Sequence, residues 1–244
     1  MIETNRDFND FQFCSSPEEL NDLQDEFLEN DEFIIIPRFL PSSLIDFMQT
    51  ELGNVKSDIH RSYIPKHKKG GSIPRSILER KAPIFNSIYL SQGILDFFNL
   101  MSQKQLLHCP DHDLHACALY LYTQKGDHID FHFDTSYYDG QRYTALLGIV
   151  NRSNSVLEYE LFHKKNDKSI DVGSAAIEPG TLVFFNGDKL KHRVTPAAAG
   201  DERIVLTLEY VTNQKMKLTK KFVSSMKDAI AYFGFKKVFS RSKL

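Results

Sequence analysis

From Cys117 onward the chain changes texture, and this change restricts its fold more than any other feature. Ala116 to Tyr122, Tyr143 to Val150, Leu157 to Phe162, Thr181 to Phe185 and Arg203 to Thr212 are short runs rich in β-branched and aromatic residues. Such side chains fit a pleated, half-buried surface. Gly140, Gly173, Pro179-Gly180, Gly187 and Gly200 punctuate the runs with turn chemistry. The part before Cys117 reads differently. Ser16-Pro17-Glu18-Glu19 carries a capping-box pattern, and Leu20, Leu23, Phe27 and Leu28 form one apolar helical stripe. Phe33 to Ile36 is a short buried strand, Pro41-Ser42-Ser43 starts a second helix, and Ile84 to Leu100 reads as a further one. Helices first and many short strands afterwards point to a β-sandwich or jelly roll buttressed by helices.

The 244 residues suit one domain: residues 1–115 as largely helical support and lid, 116–212 as the β core, and 213–244 as a closing helix over Leu218 to Phe233. Lys and Arg total 30 and Asp and Glu total 32, so the net charge of −2 argues against nucleic-acid binding through a large basic surface. Three cysteines, Cys14, Cys109 and Cys117, are too few for a disulfide framework and read as reduced thiols. The polar, acidic start is no signal peptide, and no apolar run approaches membrane-spanning length, so a cytoplasmic protein without a membrane partner is expected. Oligomeric state is not legible. Asp58 to Arg75 stands apart, with His60, Arg61, Lys66, His67, Lys68 and Lys69 ahead of Gly70-Gly71 and Arg75. It reads as a basic loop with glycine hinges, either a solvated surface loop or a lid carrying cations to an anionic ligand.

The stretch Gly126-Asp127-His128-Ile129-Asp130-Phe131-His132-Phe133-Asp134 holds two His-x-Asp units. Residues two apart in a strand face the same side, so either unit could present an imidazole and a carboxylate to one metal. His192, beyond the strand that Pro179-Gly180-Thr181 opens, could supply a third ligand. Two histidines and one carboxylate on one face of an octahedral Fe(II) leave open positions for other ligands. Arg203 follows eleven residues after His192, and its planar fork suits the far carboxylate of a keto diacid.

These residues give the chain its resemblance to the Fe(II)/2-oxoglutarate-dependent oxygenases. Tyr122, Gly126, His132-x-Asp134, Arg142 to Leu147 and Asn151 resemble the strand bearing the first ligands and the strand after it. Gly180 to Phe185, His192-x-Val194-x-Pro196 and Arg203 resemble the distal half. The resemblance spans Ala116 to Tyr210, and Phe33 to Pro37 with Phe39-Leu40 resembles the usual lead-in. It implies a double-stranded β-helix, a jelly-roll variant. It also implies Fe(II) on His132, Asp134 and His192, 2-oxoglutarate on Arg203, and O2 as the second cosubstrate. His128 and Asp130 then become candidates for contacting substrate or supporting the ligands.

A narrower resemblance runs through Asp134-Thr135-Ser136-Tyr137-Tyr138, Arg142-Tyr143-Thr144, Val211-Thr212 and the tail Val223 to Gly234. It is to small oxygenases of free amino acids, including free-lysine halogenases and their hydroxylase relatives. The halogenases have glycine at the carboxylate-ligand position; this chain has Asp134, which implies hydroxylation. The implied substrate is a free amino acid, L-lysine first. Arg75 could clamp its carboxylate, Thr135 would line the mouth by position, and Asp130 and Glu209 could meet an ammonium. If Arg203 faces inward, strand alternation puts Val205, Thr207 and Glu209 on the same face. Two other readings stay open: an oxygenase of a peptidyl residue or specialised metabolite, and a non-catalytic, metal-binding member of the fold. His112 with His115, or His108 with Cys117, are zinc-type ligands, but no paired C-x-x-C accompanies them. No nucleophile elbow, Walker loop or dinucleotide fingerprint is present.

Overall fold

The computed structural model describes residues 16–215. The expected helix over Leu218 to Phe233, its part of the amino-acid oxygenase resemblance, and Cys14 lie outside them. The described residues hold five α-helices, all in the first half and interleaved with three strands: α1 (Pro17–Glu29), α2 (Ser42–Glu51), α3 (Arg75–Lys81), α4 (Pro83–Leu90) and α5 (Gln92–Ser102). α1 begins with the expected capping box: Ser16 Oγ accepts from the Glu19 backbone, and the Glu19 carboxylate accepts from the Ser16 N–H. The single helix expected over Ile84 to Leu100 is two. Ser91 breaks it in extended backbone and caps α5 by accepting from Ile94 N–H.

Twelve strands form one antiparallel sheet: β1 (Phe33–Ile36), β2 (His60–Ile64), β3 (Lys68–Ile73), β4 (Leu107–His108), β5 (Cys117–Tyr122), β6 (His128–His132), β7 (Arg142–Arg152), β8 (Leu157–Leu161), β9 (Asp171–Ala175), β10 (Leu182–Asn186), β11 (Lys191–Val194) and β12 (Glu202–Val211). The order is β1-β10-β7-β12-β5-β3-β6-β11-β8-β9, with β2 paired on β3 and β4 on β12. The sheet curls until its two ends meet, where the Phe33 ring of β1 lies 4.4 Å from that of Tyr159 in β8. This is the expected mostly-β, jelly-roll architecture.

Two apolar layers sandwich the central strands, and strand alternation sorts side chains between them. Leu182 and Phe184 of β10 join Phe27, Met48, Phe85 and Phe98 from the helices, while Val183 and Phe185 join Phe33, Leu157 and Val194 on the inner face. Phe98 stacks on Phe184 at 4.2 Å. β10 and β12 are covered on both faces, so β10 reads as an apolar run up to Asn186 and β12 buries even its polar residues Arg203, Thr207 and Glu209.

The segment Asp58 to Arg75 is not a lid. It forms the β2–β3 hairpin, and β3 is an interior strand bonded to β5 and β6. Its sequence hides this, since Gly70-Gly71-Ser72 lacks the apolar alternation of a strand. Here Gly71 is needed because a Cβ would lie 2.8 Å from Ile59 Cγ2. Arg61 is spent on the buried Asp127 carboxylate, which also accepts from Thr123 N–H and Gln124 N–H at 2.9 Å and fixes the β5–β6 turn. Gly126 takes φ +80° in that turn.

Candidate active site

The inner face of the sheet encloses a cavity of about 100 Å³ whose lining includes His132, Asp134, His192, Arg203, Lys68 and Glu209. His132 ends β6 and sits opposite His192 of β11 in the ladder. Asp134 follows two residues later. One ligand atom from each lies within 4.8 Å of the others. His132 Nδ1 is 2.8 Å from the Asp130 carbonyl, so its N–H donates there and the Nε2 lone pair is left for the cluster. His132 Nε2 is 3.3 Å from Asp134 Oδ1, and Thr144 Oγ1 donates to Asp134 Oδ2 at 3.0 Å. Behind the aspartate sits Gly187, where a Cβ would lie 2.5 Å from the Asp134 carbonyl oxygen.

Burial penalises the Asp134 carboxylate, yet His192, His132 and Arg142 hold it well below the ordinary aspartate range. Burial, with His132 adding to it, pushes the His192 imidazole down to about 4. A persistent carboxylate beside two imidazoles, whose ring nitrogens a metal would take in place of a proton, is a donor set for a divalent transition metal.

A bulge settles which His-x-Asp unit reaches the cavity. His192 pairs with His132 but Val194 pairs with Ile129, so β6 carries one extra residue across from β11. Both Ile129 and His132 line the cavity although they are three apart. Strict alternation along β6, which would have put His128, Asp130 and His132 on one face, therefore fails. Neither His128 nor Asp130 lines the cavity; they face each other with Nε2 4.0 Å from Oδ2.

On β12 alternation holds, and Arg203, Val205, Thr207 and Glu209 all line the cavity. A bulge also interrupts the β12–β7 pairing, but its extra residue, Ile149, lies on β7. Arg203 is 1% exposed and its Nε has no hydrogen-bond partner. Its guanidinium lies 5.1 Å from the Tyr122 ring centre. A buried guanidinium left short of partners is costly unless a ligand supplies the acceptor.

The remaining sequence candidates fall differently. Glu209 lines the cavity but pairs with the buried Arg142 guanidinium. Arg75 is buried away from the cavity and donates from Nε to Glu79 and Asn86. Thr135 is exposed and does not line the cavity. His108, His112, His115 and Cys117 do not gather; among the described residues the second cluster of metal-type ligands is Cys109, Asp113 and Glu209. Cys117 is buried, its thiol donating to the Phe85 carbonyl at 3.6 Å. The sequence alone does not single out Thr144 or Gly187, and it offers Lys68 only as one of several cations of the basic segment. Thr144 shares an edge with Phe185 across β7 and β10, a register no local pattern announces.

No family model and no curated protein matches the sequence. Solved structures do match. The non-heme α-ketoglutarate-dependent epimerase SnoN from nogalamycin biosynthesis superposes with a TM-score of 0.67 at 10% identity, over 80% of this chain and 82% of that one. A prolyl hydroxylase from Trichoplax adhaerens, solved with a hypoxia-inducible-factor peptide, gives 0.62 at 16% identity, over 86% and 98%. HygX from Streptomyces hygroscopicus, solved with nickel, 2-oxoglutarate and hygromycin B, gives 0.58 at 13% identity, over 81% and 87%. The fold is therefore the double-stranded β-helix shared with oxygenases of this kind.

Proposed function

We propose that this protein is an Fe(II)/2-oxoglutarate-dependent dioxygenase that hydroxylates an unactivated C–H bond of a free amino acid, with L-lysine the first candidate. The observation that carries the reading is the His132, Asp134 and His192 cluster, gathered in the same cavity as a buried guanidinium that lacks a partner at Nε. The donor set of two nitrogens and one oxygen fits Fe(II). Bound there, iron and 2-oxoglutarate supply the oxidising chemistry, consuming O2 and releasing succinate and CO2.

The chain's own residues do the rest. His132, Asp134 and His192 hold the metal on one side. Thr144 occupies one oxygen of Asp134 and so favours binding through the other. Arg203 pairs with the distal carboxylate of the keto acid from the floor of the cavity, with Tyr122 against its guanidinium. Leu146, Leu157, Val194 and Val205 give the cavity apolar walls that exclude water. A carboxylate at position 134, where the similar halogenases have glycine, favours hydroxylation. The amino-acid reading rests on the sequence resemblance around Asp134 to Tyr138.

The test is succinate release with Fe(II), ascorbate and 2-oxoglutarate across the free amino acids, with mass detection of products. The expected result is succinate coupled to a product one oxygen atom heavier. Iron and 2-oxoglutarate binding without stimulation by any amino acid would move the substrate to a peptidyl residue or a specialised metabolite. Failure to bind iron would leave a non-catalytic member of the fold. Asp134→Ala should abolish succinate formation at saturating iron, and turnover at the wild-type rate would remove its assignment as a ligand. Arg203→Ala should raise the 2-oxoglutarate requirement by about 10- to 100-fold while leaving the amino-acid requirement nearly unchanged.

A further inference from the structure

The cavity holds one more cation than its proposed occupants need. Its carboxylates are committed: Asp134 to His132, His192 and Thr144, and Glu209 to Arg142. In the proposed site Arg203 answers the distal carboxylate of 2-oxoglutarate. Lys68 remains. It is half-buried, lines the same cavity, and forms no ion pair among the described residues. Its Nζ lies 4.3 Å from the Tyr120 ring centre, a contact that steadies a cation without neutralising it.

The backbone fixes where this ammonium sits. Lys68 opens β3 and pairs with Ile129, itself a cavity residue, and the neighbouring His67 ring meets His132 edge-on with centroids 6.0 Å apart. The other hairpin cations are turned elsewhere: Lys69 Nζ donates to the Lys125 carbonyl and Arg61 is bound to Asp127. Burial pushes the Lys68 ammonium down to about 8 against the attraction of the Asp134 carboxylate, so it stays mostly charged at neutral pH. A cation in a partly dry cavity, whose nearest carboxylate is already shared among His132, His192 and Thr144, asks for a counter-ion from the ligand.

We propose that Lys68 anchors an anionic group of the substrate, a carboxylate or a phosphate, beside the metal-binding wall. This rests on the oxygenase reading of the site. It narrows the substrate to an acid and places its anion on the β3 side of the cavity, one strand removed from β12 and the arginine that serves 2-oxoglutarate.

The full chain would be loaded anaerobically with Zn(II) and 2-oxoglutarate after reductive 13C-methylation of its lysines, which preserves their charge. Lys68→Arg identifies the Lys68 methyl resonance by its loss. Propionate, methyl phosphate and neutral propionamide are the probes. The expected result is a saturable shift of that resonance with propionate or methyl phosphate and none with propionamide. The tighter of the two anions names the group. Lys68→Met, with an unchanged melting temperature, should weaken that anion by at least about ten-fold while 2-oxoglutarate binding stays within about two-fold. A resonance that moves on adding 2-oxoglutarate and then ignores both anions would assign Lys68 to the cosubstrate and overturn the proposal, as would a resonance that none of them moves. Zn(II) binding, read first from the histidine resonances, separates the two levels. If it is absent, the oxygenase reading falls and takes this one with it; if present beside a silent Lys68, only this one falls.

Discussion

Asp134 is presented to its cluster by groups that never touch a metal. Thr144 Oγ1 donates to Oδ2 at 3.0 Å, and Gly187 lets the backbone of residue 134 approach where any side chain would collide. Partners of this kind fix ligand orientation, and their loss typically costs ten- to a hundred-fold in metal affinity. Thr144→Val keeps the shape of the side chain and removes the donor. It should raise the Fe(II) concentration needed for half-maximal succinate release by about 10- to 100-fold, with little effect on the 2-oxoglutarate requirement. An unchanged iron requirement would mean that the hydroxyl plays no part in holding the carboxylate. At this scale residue types are legible in the sequence and little else. Along β6 two His-x-Asp units are equivalent by type and spacing, and a single residue's worth of bulge separates the one that lines the cavity from the one that does not.

The junction between α1 and β1 shows what an element boundary can carry. Asp31 and Glu32 both take positive φ, +61° and +65°, and the Glu32 N–H returns to the Phe27 carbonyl at 2.8 Å. Two consecutive left-handed residues without glycine are strained. The Glu32 carboxylate offsets that cost by accepting from Tyr143 Oη at 2.6 Å, Asn186 Nδ2 at 2.7 Å and Lys189 Nζ at 2.9 Å. Burial opposes its ionisation, but these three partners hold its pKa below the ordinary glutamate value of 4.5. A depressed pKa in the folded state gives stability that is complete above the unfolded value and is lost as pH falls through the folded one. Glu32→Gln should therefore cost about 1–3 kcal/mol at neutral pH, and the difference from wild type should shrink as pH falls below about 4.5. Urea titrations across that range measure it, and a difference independent of pH would remove the ionic part of the argument. The sequence marks this turn only faintly, because Tyr143, Asn186 and Lys189 come from elements more than a hundred residues away.

For the molecule as a whole, the candidate site stitches neighbouring strands from distant parts of the chain. His132 and Asp134 belong to β6 and the turn after it, while His192 belongs to β11, which β8 flanks on its other side. A divalent ion bound only by the folded arrangement stabilises it by mass action, about 2.7 kcal/mol at a hundred times its dissociation constant. For a chain of this size that corresponds to a rise in melting temperature of roughly 5–10 °C. Chelation should reverse the rise, and His132→Ala should remove it; a melting temperature indifferent to metal in the wild-type protein would argue against a built site. Among the described residues no helix is long and apolar enough to cross a membrane.

The sequence by itself determined the local grammar: the Ser16 capping box, the strand runs of β5, β7, β8, β10 and β12, and the alternation that sets Arg203, Val205, Thr207 and Glu209 on one face. Those features depend on periodicity and on neighbours a few residues apart, which any chain carries in its order. Tertiary structure decided the rest. It inserted β3, the glycine-rich arm of the hairpin, between β5 and β6, although β3 has no strand-like pattern, because sheet pairing and not side-chain alternation holds it there. It shifted the facing of β6 by one residue, paired Glu209 with Arg142, and turned Lys68 alone among the hairpin cations onto the cavity. Each is a matter of register or of contact between distant segments, set by how the sheet closes on itself and invisible to any window along the chain.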